Sequence, residues 1–192
     1  MSAPYVLVLF YSRHGATRAL AESIALGIEQ SGINAQIRTV PAAETSDLAD
    51  SEGTLYVTQD DLRECSGLAL GSPTRFGHMA SALSAFIETT TSEWLSGSLI
   101  DKPATLFTSS NSLHGGQEST LLSMALPLIH QGMLLVGVPY NVAELHSTTR
   151  GGTPYGASQV SQNSHRLSQD EQRIAVAQGK RLGTLAQRLS SR

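Results

Sequence analysis

Ser12, Arg13, His14, Gly15, Ala16 and Thr17 place two hydroxyls, a guanidinium, an imidazole and one glycine between the apolar run 5–11 and a stretch with helical periodicity. The order strand, short polar loop, helix presents free backbone N–H groups to an anion. A helix N-terminus leaves about four amide donors unpaired and carries roughly half a positive charge, which suits a phosphate. A dinucleotide-binding turn would need G-x-G-x-x-G here and a triphosphate loop G-x-x-x-x-G-K-[ST]; this loop has one glycine and no lysine. What remains suits a single terminal phosphomonoester, the group that flavin mononucleotide (FMN) carries. The same residues also read as an ordinary helix start capped by Ser12 and Thr17.

Two further segments have the composition of ligand loops. In residues 72–79, Pro73 and Gly77 restrict the backbone path, Thr74 and Arg75 offer polar groups and Phe76 an apolar face. Residues 109–118 hold Ser109, Ser110, Asn111, Ser112, Leu113 and His114, then Gly115 and Gly116, whose lack of a side chain allows close backbone approach to a flat ligand.

These loops need a frame that delivers them to one edge. Nearly continuous apolar runs bounded by Gly, Pro and Ser predict strands buried on both faces at 5–11, 67–71, 104–109 and 133–138, with a weaker one at 35–40. Leu20, Ile24 and Ile28 predict a helix ending before Gly32, Leu83, Phe86 and Ile87 a second, and residues 121–132 a third. Pro127 is expected to kink that third helix or delay its start. Ser168, Gln169, Asp170 and Glu171 form a capping box ahead of Ile174, Ala177, Leu182, Leu185 and Leu189. Alternating β and α elements predict one doubly wound α/β domain over 1–192, a five-stranded parallel sheet with helices on both faces. In such a sheet, ligands sit beyond the carboxyl ends of the strands, where all three loops fall. Residues 41–64 and 141–167 are expected to be irregular.

With 192 residues and a net charge of −3, the chain has room for one well-buried domain and no basic stripe for nucleic acid. Its apolar runs fall short of the ~20 residues of a membrane span, and the N-terminus does not read as a secretory leader. The lone Cys65 fits a reducing cytoplasm and reads as a small buried hydrophobe rather than a reactive thiol.

The chain resembles the WrbA family of flavodoxin-like NAD(P)H:quinone oxidoreductases. The resemblance is carried by V-L-V-L-F-Y-S at 6–12, G-S-P-T-R-F-G at 71–77, G-G-Q-E at 115–118, H-Q-G-M at 130–133, R-G-G-T-P-Y-G-A at 150–157 and S-Q-D-E at 168–171. It implies a flavodoxin-like fold and a cytoplasmic homotetramer. It also implies FMN as cofactor, with NADH or NADPH as reductant and a quinone as substrate. Residues 12–17 would hold the FMN phosphate, Thr74, Arg75 and Phe76 the isoalloxazine edge, and residues 109–115 the other side of the ring. His130 would meet the flavin, His14 and His130 would also border the nicotinamide and substrate, and Trp94 would line the substrate cavity, contributed by a neighbouring subunit. Reduction of the quinone would proceed by two half-reactions through the flavin N5, with no side-chain nucleophile and no metal. The chain departs from the family at His14, where a tyrosine is common, and in its third loop, with one extra residue. By residue type alone, Trp94 also fits a core position and His130 a helix-dipole partner. Two rival readings share the fold: a flavodoxin-like electron carrier and a flavin-free interaction protein.

Overall fold

A computed structural model describes residues 3–162 and 164–190. The opening apolar run becomes β1 (Tyr5–Phe10), all six residues buried. The chain continues through α1 (Ala16–Gln30), β2 (Asn34–Thr39), α2 (Gln59–Glu64), β3 (Gly67–Pro73), α3 (Ser81–Glu88) and α4 (Thr91–Ser96). Then follow β4 (Pro103–Ser110), α5 (Gln117–His130), β5 (Leu134–Leu135), α6 (Glu144–Ser147), β6 (Ala157–Val160) and α7 (Gln169–Ser190). The strand order is β2-β1-β3-β4-β5, with every pair parallel, and β6 also pairs with β4. This is the doubly wound order whose direction reverses between β1 and β3, opening a crevice beyond those two strands.

The expected parallel sheet with helices on both faces is present, and its fifth position is shared. β5 pairs with Pro103 and Ala104 at the start of β4, whereas β6 pairs with residues 107–110 at its end. The strand expected over 133–138 stops early because the ladder fails there. Val136 still donates to Ala104 O at 2.7 Å, but Val138 donates to Pro154 O at 2.9 Å, and Pro139 has no N–H to give. The chain makes an excursion and re-enters the sheet as β6. The stretches 41–64 and 141–167, expected to be irregular, thus contain α2, α6 and β6. The third helix starts earlier than expected, at Gln117, and runs on past Pro127 to His130.

Side-chain alternation along β1 divides the core. Tyr5, Leu7 and Leu9 pack with Leu83 of α3 and with Leu121, Met124 and Leu128 of α5. Val6, Val8 and Phe10 pack with Leu20, Ile24 and Ile28 of α1 and with Ile174 and Leu182 of α7. Helices α1 and α7 approach backbone to backbone. A Cβ on Gly179 would lie 2.1 Å from Ile24 O, and one on Gly27 2.1 Å from Val176 O.

The R-G-G-T-P-Y-G-A segment is the turn that returns the chain to the sheet. The buried Glu171 carboxylate accepts from the Gly151 N–H at 3.0 Å, the Val160 N–H at 2.9 Å and the Ser168 N–H at 2.7 Å. Ser168 Oγ accepts from the Glu171 N–H in return, completing the expected capping box. Gln178, also on α7, accepts from the Ala157 N–H at 2.8 Å and donates to Thr105 Oγ1 and to Leu106 O. One helix therefore holds β6 against β4 through buried polar side chains, each of whose bonds replaces solvent hydrogen bonding.

Candidate flavin site

The first loop does not cap its helix. Gly15 stands at the N-cap with φ 87°, a conformation that favours glycine, and no side-chain oxygen caps α1. Ser12 Oγ instead accepts from the Gly15 N–H at 3.1 Å, one residue before the helix. Thr17 Oγ1 pairs with Ser109 Oγ at 2.9 Å, both groups buried, and so ties the loop to the end of β4. The capping alternative is thereby excluded, and the positive end of α1 is left for an anion.

The second and third loops are joined to the first and to each other. Thr74 donates its N–H to Ser109 O at 2.8 Å, and its hydroxyl accepts from Thr120 Oγ1 at 2.7 Å and from the Gly77 N–H at 3.3 Å. Arg75 and His78 exchange backbone hydrogen bonds at 2.7 and 3.0 Å, closing a tight loop around Phe76. Phe76 has φ 52° and is fully exposed, so a strained backbone holds an apolar ring in solvent. In the third loop the Gln117 amide donates to Ser112 O and Leu113 O at 2.9 and 3.0 Å. Gly116 approaches so closely that a Cβ there would lie 3.2 Å from Gly77 Cα.

Between these loops lies a cavity of about 530 Å³, lined by Ser12, Arg13, His14, Ala16 and Thr17, by Pro73, Thr74 and Arg75, and by Ser109, Ser110 and Asn111. Phe76, Gly77, Ser112, Leu113, His114 and Gly115 sit on the same two loops but outside its walls. His130 ends α5, exposed, and is not among the lining residues of this cavity. Trp94 is 53 % exposed on α4, so it is not a core residue, and it does not line this cavity of its own chain. A neighbouring cavity of about 720 Å³ shares Arg13 and Arg75 and runs along α3 past Tyr11, His78 and Met79.

Four lining residues went unforeseen in the sequence: Ser161, Gln162, Ser164 and His165. They form a fourth loop, after β6, and Ser161 fastens it by donating both its N–H and its hydroxyl to Ser110 O at 2.8 and 3.0 Å. The rule that ligands gather beyond strand carboxyl ends would have found them had β6 been recognised. Cys65 lies away from all four loops; it is buried, and burial pushes its thiol up to about 11 against the opposing charge of Lys102. A thiol so placed is protonated at neutral pH and is no nucleophile.

A hydroxyl-lined pocket at an uncapped helix start, with Arg13 and Arg75 and no carboxylate among its lining residues, matches a phosphomonoester ligand of FMN's class. An NAD(P)H dehydrogenase (quinone) of Syntrophobacter fumaroxidans is 36% identical over 200 residues, covering 96% of this chain and 98% of that protein. Another, from Gluconacetobacter diazotrophicus, is 37% identical over 197 residues, covering 97% and 98%. The chain belongs to the NAD(P)H dehydrogenase (quinone) family. The resemblance read from the motifs is thus borne out, and the membership makes this an oxidoreductase chain. The flavodoxin-like fold is shared with a WrbA-like flavodoxin from Agrobacterium tumefaciens, with a TM-score of 0.71, 24% identity and coverage of 97% of this chain and 99% of that one. No protein-family model matches the chain.

Proposed function

We propose that the protein is an FMN-dependent NAD(P)H:quinone oxidoreductase that reduces quinones by two electrons in a ping-pong cycle. The observation that carries this reading is the uncapped start of α1 opening into the same cavity as Thr74, Arg75, Ser109, Ser110 and Asn111. FMN bound there would supply the redox chemistry, taking hydride from NADH or NADPH and passing two electrons to the quinone. The protein's part is binding, orientation and electrostatics. The α1 amides with Ser12 and Thr17 hold the phosphate. Thr74 and the backbone of residues 109–111 flank the ring system. Arg75 places a positive charge beside it, which stabilises negative charge developing on reduction. Phe76 offers an apolar face to whatever ring docks next, and Trp94, from a neighbouring subunit, helps confine the quinone.

Assembly as a homotetramer and residence in the cytoplasm belong to the same reading. The first is supported by an exposed apolar stripe on α5, the second by the lone cysteine, which is buried. The deciding experiment follows the visible spectrum of FMN-loaded protein under anaerobic conditions as NADH and then benzoquinone are added. Bleaching by NADH and return of the oxidised spectrum with quinone are expected. If NADH and NADPH both fail to bleach bound flavin, the enzyme reading is replaced by the electron carrier. If flavin never binds, the flavin reading itself falls.

A further inference from the structure

His14, in the loop after β1, and His165, in the loop after β6, come from opposite ends of the sequence and line one cavity. Their rings are nearly parallel, 17° apart, with centroids 6.5 Å from each other. Both are exposed, and among the described residues neither ring nitrogen is hydrogen-bonded. His165 is nonetheless held in place: the Gln159 amide of β6, itself 0 % exposed, donates to His165 O at 2.9 Å. The two stacked imidazoles stand together beside the open start of α1, where their ring nitrogens offer donors to an anion bound in the cavity.

The charges around this pair all have one sign. The loop after β1 contributes Arg13 and His14, the loop after β3 contributes Arg75, the loop after β4 contributes only the uncharged Ser109, Ser110 and Asn111, and the loop after β6 contributes His165. With no carboxylate among the lining residues, the imidazoles lack a resident anionic partner. A dianion bound beside them supplies the anionic partner that both lack.

We infer that His14 and His165 together clamp the terminal phosphate of the flavin, which makes the loop after β6 a fourth cofactor-binding loop. The inference rests on the FMN reading and assigns within it a group that the β1–α1 loop alone does not provide. Its consequence is an affinity that follows imidazole protonation. A charged imidazole is the stronger donor to a dianion, so affinity is expected to rise as pH falls through the range in which imidazoles ordinarily gain a proton, about 6.5, until the phosphate itself gains one near pH 6.

The test titrates apoprotein with FMN, and separately with riboflavin, which lacks the phosphate, by flavin fluorescence at constant ionic strength. For the unaltered protein the FMN Kd is expected to fall roughly tenfold between about pH 8 and 6.5 while that of riboflavin stays flat. His165→Asn should remove most of the FMN trend, the double variant His14→Asn/His165→Asn all of it, and His165→Lys should bind FMN tightly at both pH values. A trend that survives in the double variant, or one that riboflavin shares, overturns the clamp and leaves the flavin reading standing. A protein that binds neither flavin at any pH overturns both.

Discussion

Glu93 is 1 % exposed, yet its carboxylate accepts from the Ser92 hydroxyl at 2.7 Å and from the Arg63 guanidinium at 2.9 Å. The Ser92 bond, helped by Arg63, holds its pKa below the usual carboxylate range, against burial, which acts the other way. Its neighbour is Trp94, the residue proposed to confine the quinone, which α4 presents to solvent. A carboxyl whose folded pKa is depressed contributes stability above its unfolded value of about 4.3 and loses that contribution as pH falls through the folded value. Glu93→Gln should therefore lower the Tm at pH 7, and the gap from the unaltered protein should close as pH drops below about 4. Thermal unfolding followed by circular dichroism across that range measures it; a gap of constant size would deny Glu93 an ionised role.

Among the elements, α7 does more than cover the sheet. Gly179 and Gly27 let it meet α1 with no side chain between the backbones, and Glu171 and Gln178 bind the turn and strand that precede it. On helix propensity alone Gly179→Ala would stabilise by about 1 kcal/mol. The new methyl, however, would stand 2.1 Å from the Ile24 carbonyl oxygen, a backbone atom that no rotamer change can move. Overpacking of this kind costs about 1–3 kcal/mol or more, so the expected result is a net loss of about 2 kcal/mol and a drop of several degrees in Tm. An unchanged or higher Tm would mean that the helices separate freely. The same helix explains what the sequence disclosed and what it hid. Residues whose burial is apolar and periodic, such as Val6, Val8, Leu20, Ile24 and Ile174, revealed β1, α1 and α7 directly. The strand Ala157–Val160 is buried because Glu171 and Gln178 satisfy its polar backbone, and periodicity does not record a long-range hydrogen bond. The fourth loop was lost with that strand, so His165 could not be seen beside His14. At 133–138 the opposite happened: an apolar run suggested a strand where only Leu134 and Leu135 pair. The three loops that local chemistry marks, around Thr17, Thr74 and Ser109, were legible throughout.

At the scale of the whole molecule, residues of this chain line the candidate flavin cavity, while several large apolar side chains find no partner within the chain. Leu122, Leu126 and Ile129 follow one another at spacings of four and three along α5, 51, 61 and 54 % exposed. Leu122 also lines a shallow cleft of about 150 Å³ with Leu135 and Tyr155, which extends the stripe across the split fifth strand position. The far end of the helix is tied to the start of α4, where Gln131 donates to Thr90 Oγ1 at 2.8 Å. An apolar patch of this extent on a soluble surface calls for a cover, and a second copy of the same patch in an isologous contact is the simplest one. A charge placed in the middle of the stripe would face its own copy across a two-fold axis, unpaired and desolvated. Leu126→Glu should therefore lower the mass measured by light scattering from that of the proposed tetramer to that of a dimer or monomer, with the circular dichroism spectrum unchanged. FMN affinity should persist in the dissociated form, since the loops around Thr17, Thr74 and Ser109 that line the candidate cavity belong to one chain. Quinone turnover should fall further than flavin binding if a neighbouring chain supplies Trp94. A variant that keeps its mass would show that α5 is not the interface, and one that dissociates with full quinone turnover would show that Trp94 serves no neighbouring site.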